Sequence, residues 1–134
     1  MINHQSALIY IMVLASAADR EMTDSELLRI GQIVTRLPIF ADYDSATLTD
    51  TTAECAALLD GDDGLDSVLG TIRDALPEKL RETAYAIACD IVAADLVTSQ
   101  EELRLLEMVR HRLGVDRLAA AGIERGARAC HMTL

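Results

Sequence analysis

Ala17-Ala18-Asp19-Arg20-Glu21-Met22-Thr23-Asp24-Ser25-Glu26-Leu27 decides the fold of this chain, because a near copy returns as Ala93-Ala94-Asp95-Leu96-Val97-Thr98-Ser99-Gln100-Glu101-Glu102-Leu103, 76 residues on. In both copies an apolar segment runs into Ala-Ala-Asp, a hydroxyl residue (Thr23, Ser99) follows four positions after the Asp, and Glu-Leu comes seven and eight positions after it. A hydroxyl three residues before a glutamate at the head of an apolar stripe is a capping box, in which each side chain satisfies the other residue's backbone N–H. The stretch therefore reads as helix, loop, helix, used twice. In the second copy Thr98 and Glu101 offer a competing frame one residue earlier.

Working outward, residues 3–18 are apolar nearly all round, which implies a first helix in a central, covered position. After the Thr23 box a second helix carries Leu27, Ile30, Val34 and Leu37 on one stripe and stops at Pro38. Residues 39–43 read as a linker. From Asp44, Leu48, Thr52, Cys55, Ala56 and Leu59 give a third amphipathic helix, ended by Asp60-Gly61-Asp62-Asp63-Gly64, and Leu65, Val68, Leu69, Ile72 and Leu76 give a fourth. Pro77 can open a fifth helix, with Leu80, Ala84, Ile87, Ala88, Ile91 and Val92 inward to about Ala94. The sixth has Leu103, Leu106, Val109 and Leu113 on its stripe and closes at Gly114-Val115 as a left-handed cap. Asp116 caps a seventh that reaches about Cys130. No stretch alternates with period two for long enough to form a strand. The expected fold is all-α, a single compact bundle of about seven helices. Its one domain spans residues 1–134, with repeat units at about 3–37 and 78–113 and acidic connecting helices over 44–76.

Composition narrows the function classes. The chain has 134 residues, enough to bury about two thirds of its unfolded surface in one core. It carries 22 Asp plus Glu against 12 Lys plus Arg, a net charge of -10. Such a surface repels phosphate backbones and anionic lipid, so nucleic acid and membrane are excluded as first partners, while cations and basic protein surfaces are favoured. Between Arg36 and Arg73 there are eight acidic residues and no basic one. An EF-hand starting at Asp60 fails, because Leu65 stands where its invariant glycine belongs and Thr71 where its bidentate glutamate belongs. Cys55, Cys89 and Cys130 lie far apart with no CxxC and read as buried reduced thiols of a cytoplasmic protein. Residues 7–14 followed by Ala15-Ser16-Ala17 look like a signal-peptide core with a cleavage site. However, no Lys or Arg precedes them, and the matching apolar run at 84–94 is internal. They are also shorter than the ~20 residues of a membrane span.

Asp19 and Asp95 are the leading site candidates. Each falls at the expected C-terminal end of a helix, where the macrodipole disfavours a carboxylate by about 0.3–1 kcal/mol. Two readings account for that placement. The carboxylate can accept from backbone N–H groups two residues on and start the loop as an Asx-turn. Alternatively, it can bind a hard cation together with Glu26 or Glu102, which open the next helix. Asp90, on the apolar fifth helix where the first copy has Leu14, joins as a further acidic candidate. His4, His111 and His131 lie near the ends or on a polar face. Cys130-His131 reads as a frayed end, and Arg117, Arg125 and Arg128 as a charge-balancing face of the last helix. Phosphate loops, H-E-x-x-H and G-x-S-x-G are absent from the sequence.

Two helix pairs, each with an Ala-Ala-Asp turn, a capping hydroxyl and Glu-Leu in an acidic all-helical chain, resemble the TerB-like family associated with bacterial tellurite resistance. The resemblance covers nearly the whole chain. It implies a seven-helix cytoplasmic module linked to stress responses and protein partners, with no established catalytic activity. It also implies that Asp19, Glu26, Asp95 and Glu102 are metal ligands. The family's turn typically reads Asp-Gly; here Arg20 and Leu96 stand in the glycine positions, so the residue a left-handed turn prefers is missing.

The expectation is thus a non-enzymatic helical module. It would bind a divalent cation, Ca²⁺ or Mg²⁺, at Asp19, Glu26, Asp95, Glu102 and Asp90, or a protein partner through the same acidic surface. The rivals are a purely structural interaction module whose carboxylates only cap turns, and a metal-dependent enzyme, for which no general base is identified.

Overall fold

The structure is a computed structural model that describes residues 2–17, 22–94 and 98–134. At its centre lies α1 (His4–Ser16), in which every residue from Ala7 to Ser16 is buried. Leu8, Ile9, Tyr10 and Ile11, all buried, step round the full circumference of the helix, so one element supplies apolar surface to neighbours on all sides. Burying each such side chain is worth about 1.5–3 kcal/mol relative to exposure. Asn3 is the N-cap, its side chain accepting from the Ser6 N–H at 2.8 Å.

The second helix, α2 (Asp24–Arg36), starts at the Thr23 capping box and ends at Leu37, just before Pro38. A 3₁₀ turn, Pro38–Phe40, occupies the expected linker and is tied to the core rather than loose. Phe40 is buried and meets Tyr43 edge to face at 5.6 Å, and the Gln5 amide donates to the Ile39 carbonyl (3.1 Å) and the Asp42 carboxylate (2.8 Å). A second 3₁₀ turn, Ser45–Thr47, capped by Asp44, precedes α3 (Leu48–Leu59). The helix anticipated from Asp44 therefore begins in the tighter form, and its inward face is Thr51, Thr52 and Cys55, with Ala56 exposed. After the acidic turn comes α4 (Gly64–Ala75), burying Val68, Leu69 and Ile72. Pro77 caps a third 3₁₀ turn, Glu78–Leu80, and α5 (Arg81–Ala93) follows with Ala84, Ile87, Ala88, Ile91 and Val92 inward.

Ser99 and Glu102, not Thr98 and Glu101, form the second capping box, which opens α6 (Gln100–Leu113). The buried stripe of α6 is Glu102, Leu105, Val109 and Leu113. The expected Leu103 is 52% exposed, because the helix is turned so that its capping glutamate rather than the following leucine faces inward. Gly114, at φ 66°, ends α6 in a Schellman arrangement. There the Val115 N–H reaches the Arg110 carbonyl at 3.0 Å and the Gly114 N–H reaches that of His111 at 3.2 Å, with Val115 and Val109 both buried. Asp116 then caps α7 (Arg117–Cys130) by accepting from the Leu118 and Ala119 N–H groups.

The fold is all-α, with seven α-helices and no strand among the described residues. The helix α1 packs most extensively on α5, then on α4 and α3, and touches α6 and α2. In turn α5 carries α7 on its other side, which makes α1 and α5 the two central helices. An Arg112 guanidinium clamps α6 to α4 through the Asp66 carboxylate at 2.8 Å, and Arg73 donates to the Arg112 carbonyl.

Candidate functional site

The two turn-and-cap units define the candidate site. In the first, the Glu26 Oε1 accepts from both the Thr23 N–H and the Thr23 hydroxyl at 3.0 Å, and the Glu26 N–H donates to the Thr23 Oγ1 at 3.3 Å. In the second, the Glu102 Oε1 accepts from the Ser99 N–H at 3.0 Å and the Glu102 N–H donates to the Ser99 Oγ at 3.1 Å. The same chemistry is thus found at residues 23–26 and 99–102. It places each glutamate in the first turn of a helix, where the backbone N–H groups favour negative charge. The environments differ: Glu26 is half-buried, whereas Glu102 is 5% exposed.

The end of α1 and the start of α6 meet around one cavity of about 480 Å³. Leu14 and Ala17 line it from the first unit, Glu101, Arg104, Leu105 and Met108 from the second, and Leu59 and Leu65 from the ends of α3 and α4. The chain thus leaves α1 towards its first Ala-Ala-Asp turn beside the N-terminus of the second unit's helix. Asp19 and Asp95 themselves lie outside the described residues. Among the described residues no three His, Cys, Asp or Glu side chains are grouped so as to hold a metal.

Asp90 has a partner that the sequence did not suggest. Its Oδ1 lies 2.7 Å from the His131 Nε2, joining the last turn of α5 to the end of α7 across 41 residues. The sequence position of His131 reads as a frayed end; its ring instead ties that end to α5. Tyr85 makes a similar link, its hydroxyl donating to the Glu124 carboxylate of α7. Neither contact leaves a sequence signature, because both are pairings between faces of helices distant in the chain.

The cysteines divide two to one. Cys55 and Cys89 are buried as expected, but Cys130 is exposed, as is most of α7, which fully buries only Ala120. Burial pushes the Cys55 thiol from the ordinary 9.0 up to about 12 and that of Cys89 up to about 11, the latter offset in part by a hydrogen bond with Tyr85. Burial also raises Tyr85, reinforced by Glu124, and Tyr10. A disulfide reagent at pH 8 is therefore expected to consume one thiol, Cys130, at least a hundredfold faster than the other two, since thiolate is the reacting species. Because each of these groups holds its proton more tightly when folded, the stability they contribute is complete below about pH 9. It is lost as the pH rises from there towards 12, which a denaturant midpoint measured at pH 8 and pH 11 will show.

No helix among the described residues is long and apolar enough to cross a membrane. Compared with known families, residues 5–125 match the family model described as tellurite resistance protein TerB. No curated protein and no solved structure shows a significant match.

Proposed function

The chain belongs to the tellurite resistance protein TerB family, and from that premise we propose that it is a cytoplasmic tellurite- and stress-resistance module binding Ca²⁺ or Mg²⁺ between the carboxylates of its two turns. Asp19 and Asp95 would supply the ligands from the ends of α1 and α5, and Glu26 and Glu102 those from the heads of α2 and α6. When bound, the cation would offset half of the charge of four carboxylates and lock the two turns together. The module works by binding rather than by catalysis, and the same acidic face would engage a basic protein partner.

The observation that carries this reading is Glu102. At 5% exposure its carboxylate has one hydrogen-bond partner among the described residues, its own cap, and no Lys, Arg or His among them lies within ion-pair distance. A carboxylate at the head of the second unit's helix, with no basic side chain in reach among the described residues, is a place where a hard cation adds favourable charge. A second reading is favoured by a specific contact. Both glutamates already spend an oxygen on a capping box, which is sufficient reason for their presence in a purely structural module.

Thermal unfolding in the presence of Ca²⁺ or Mg²⁺ separates the two. A cation at about a hundred times its Kd adds about 2.7 kcal/mol, which raises the Tm by roughly 10 °C for a chain of this size. The Asp19→Asn, Asp95→Asn double variant is expected to lose that rise. A wild type whose Tm does not respond to either cation would sink the cation reading.

A further inference from the structure

The last two helices both pack on α5 but make few contacts with one another. Between α6 and α7 runs an open trough of about 1050 Å³, floored by Tyr85, Cys89 and Val92 of α5. Leu103 (52% exposed) and Leu106 line the α6 side, Leu118 (81% exposed) the α7 side, and Met132 (67% exposed) the far end. Three of the most exposed large apolar side chains of the protein are thus turned into one depression. Singly exposed leucines are ordinary; a contiguous set rimmed by charge marks an interaction surface.

The charge of that rim runs against the rest of the molecule. Arg110, Arg125 and Arg128 line the trough, against Glu107 and Glu124, and the Tyr85 hydroxyl already engages Glu124. Elsewhere the chain carries nine Lys and Arg against twenty Asp and Glu. Among the described residues no carboxylate lies within ion-pair distance of the three arginines; Arg110 instead contacts His111. The walls are 14 residues each, or about 21 Å at 1.5 Å per residue, and an α-helix with its side chains is about 10–12 Å across. The trough is open along its length, which suits a helix laid into it better than a small molecule that must be enclosed.

We propose that this trough docks an amphipathic helix of another protein whose apolar stripe is flanked by carboxylates. Leu103, Leu118 and Met132 would take the apolar stripe, while Arg110, Arg125 and Arg128 pair with the flanking acids and set the orientation. This surface favours a partner of the opposite charge to a cation, so its test involves no metal.

The probe is a fluorescein-labelled 18-residue helical peptide with leucines at i, i+3, i+4 and i+7 flanked by glutamates, set beside the same peptide with every glutamate replaced by lysine. Fluorescence anisotropy should show the acidic peptide binding at least tenfold tighter than the basic one, with the difference shrinking at high salt. Amide shifts should map to α6, α7 and the exposed face of α5. Arg125→Glu with Arg128→Glu, and separately Leu118→Asp, should each weaken binding at least tenfold. All three positions are exposed, so the variants should keep the wild-type Tm and helical circular dichroism. Equal binding of both peptides, or binding indifferent to Leu118→Asp, overturns the proposal. So does a concentration-dependent dimer that Leu118→Asp abolishes, because the trough would then be filled by a second copy of this chain.

Discussion

Replacing Gly64 with alanine is expected to destabilise the protein by roughly 3 kcal/mol or more, lowering the Tm by about 10 °C or preventing folding at 37 °C. A Cβ built on Gly64 would stand 2.1 Å from the Leu59 carbonyl oxygen and 2.6 Å from its carbon. These are backbone atoms, so no side chain can rotate away; α3 and α4 would have to separate at the turn that joins them. The effect is one of close approach rather than of dihedral freedom. The left-handed position in this turn belongs to Asp63, at φ 54°, and Gly64 itself begins the helix. The matched control is Gly122→Ala on α7, where nothing lies within 4 Å of the added methyl. An interior helical glycine gains about 0.5–1 kcal/mol on becoming alanine, so this variant should be slightly more stable than wild type. Chemical denaturation of the pair will show changes of opposite sign. Similar midpoints would mean that the α3–α4 turn is not packed as described.

Gly64 also marks where sequence reading runs out. Asp60-Gly61-Asp62-Asp63-Gly64 is legible as a break between helices because of its composition. Which residue turns left-handed, and which must lack a side chain, depends on how two helices cross, which no local pattern records. The same division runs through the molecule. An apolar run without a polar face can only be covered on all sides, so the central place of α1 is legible. The capping boxes are legible too, since hydroxyl and glutamate three residues apart are local chemistry. The phase of α6 is less so: Leu103 and Leu105 are equally apolar, and only the inward turn of Glu102 decides that Leu105 is buried and Leu103 left on the surface. Of the candidate site, sequence shows the repeated residues but not the cavity shared by Ala17 and Glu101. The trough between α6 and α7 was beyond it altogether. Periodicity places Leu106 on the core stripe, where it is partly buried, and reads Arg125 and Arg128 as a charge-balancing face; only the splaying of two helices on α5 brings them together.

Substituting Glu102 by glutamine should separate cap from ligand, because glutamine keeps the acceptor that the Ser99 N–H needs while removing the charge a cation needs. Without added metal the variant should match or exceed the wild type in stability. The capping box survives, and a carboxylate with no basic side chain within ion-pair distance among the described residues has become a neutral amide. With Ca²⁺ or Mg²⁺ the order should reverse, since loss of one anionic ligand is expected to weaken the cation at least tenfold and to forfeit about 1.4 kcal/mol or more of its stabilisation. Glu102→Ala removes both roles. It should lose about 0.5–2 kcal/mol with the cap in the absence of metal, together with the response to metal. If Glu102 serves the cap alone, the glutamine variant tracks the wild type at every cation concentration and only alanine falls. A crossing of the wild-type and glutamine curves as cation is added has no explanation in capping. It requires that the Glu102 carboxylate itself meet a positive charge.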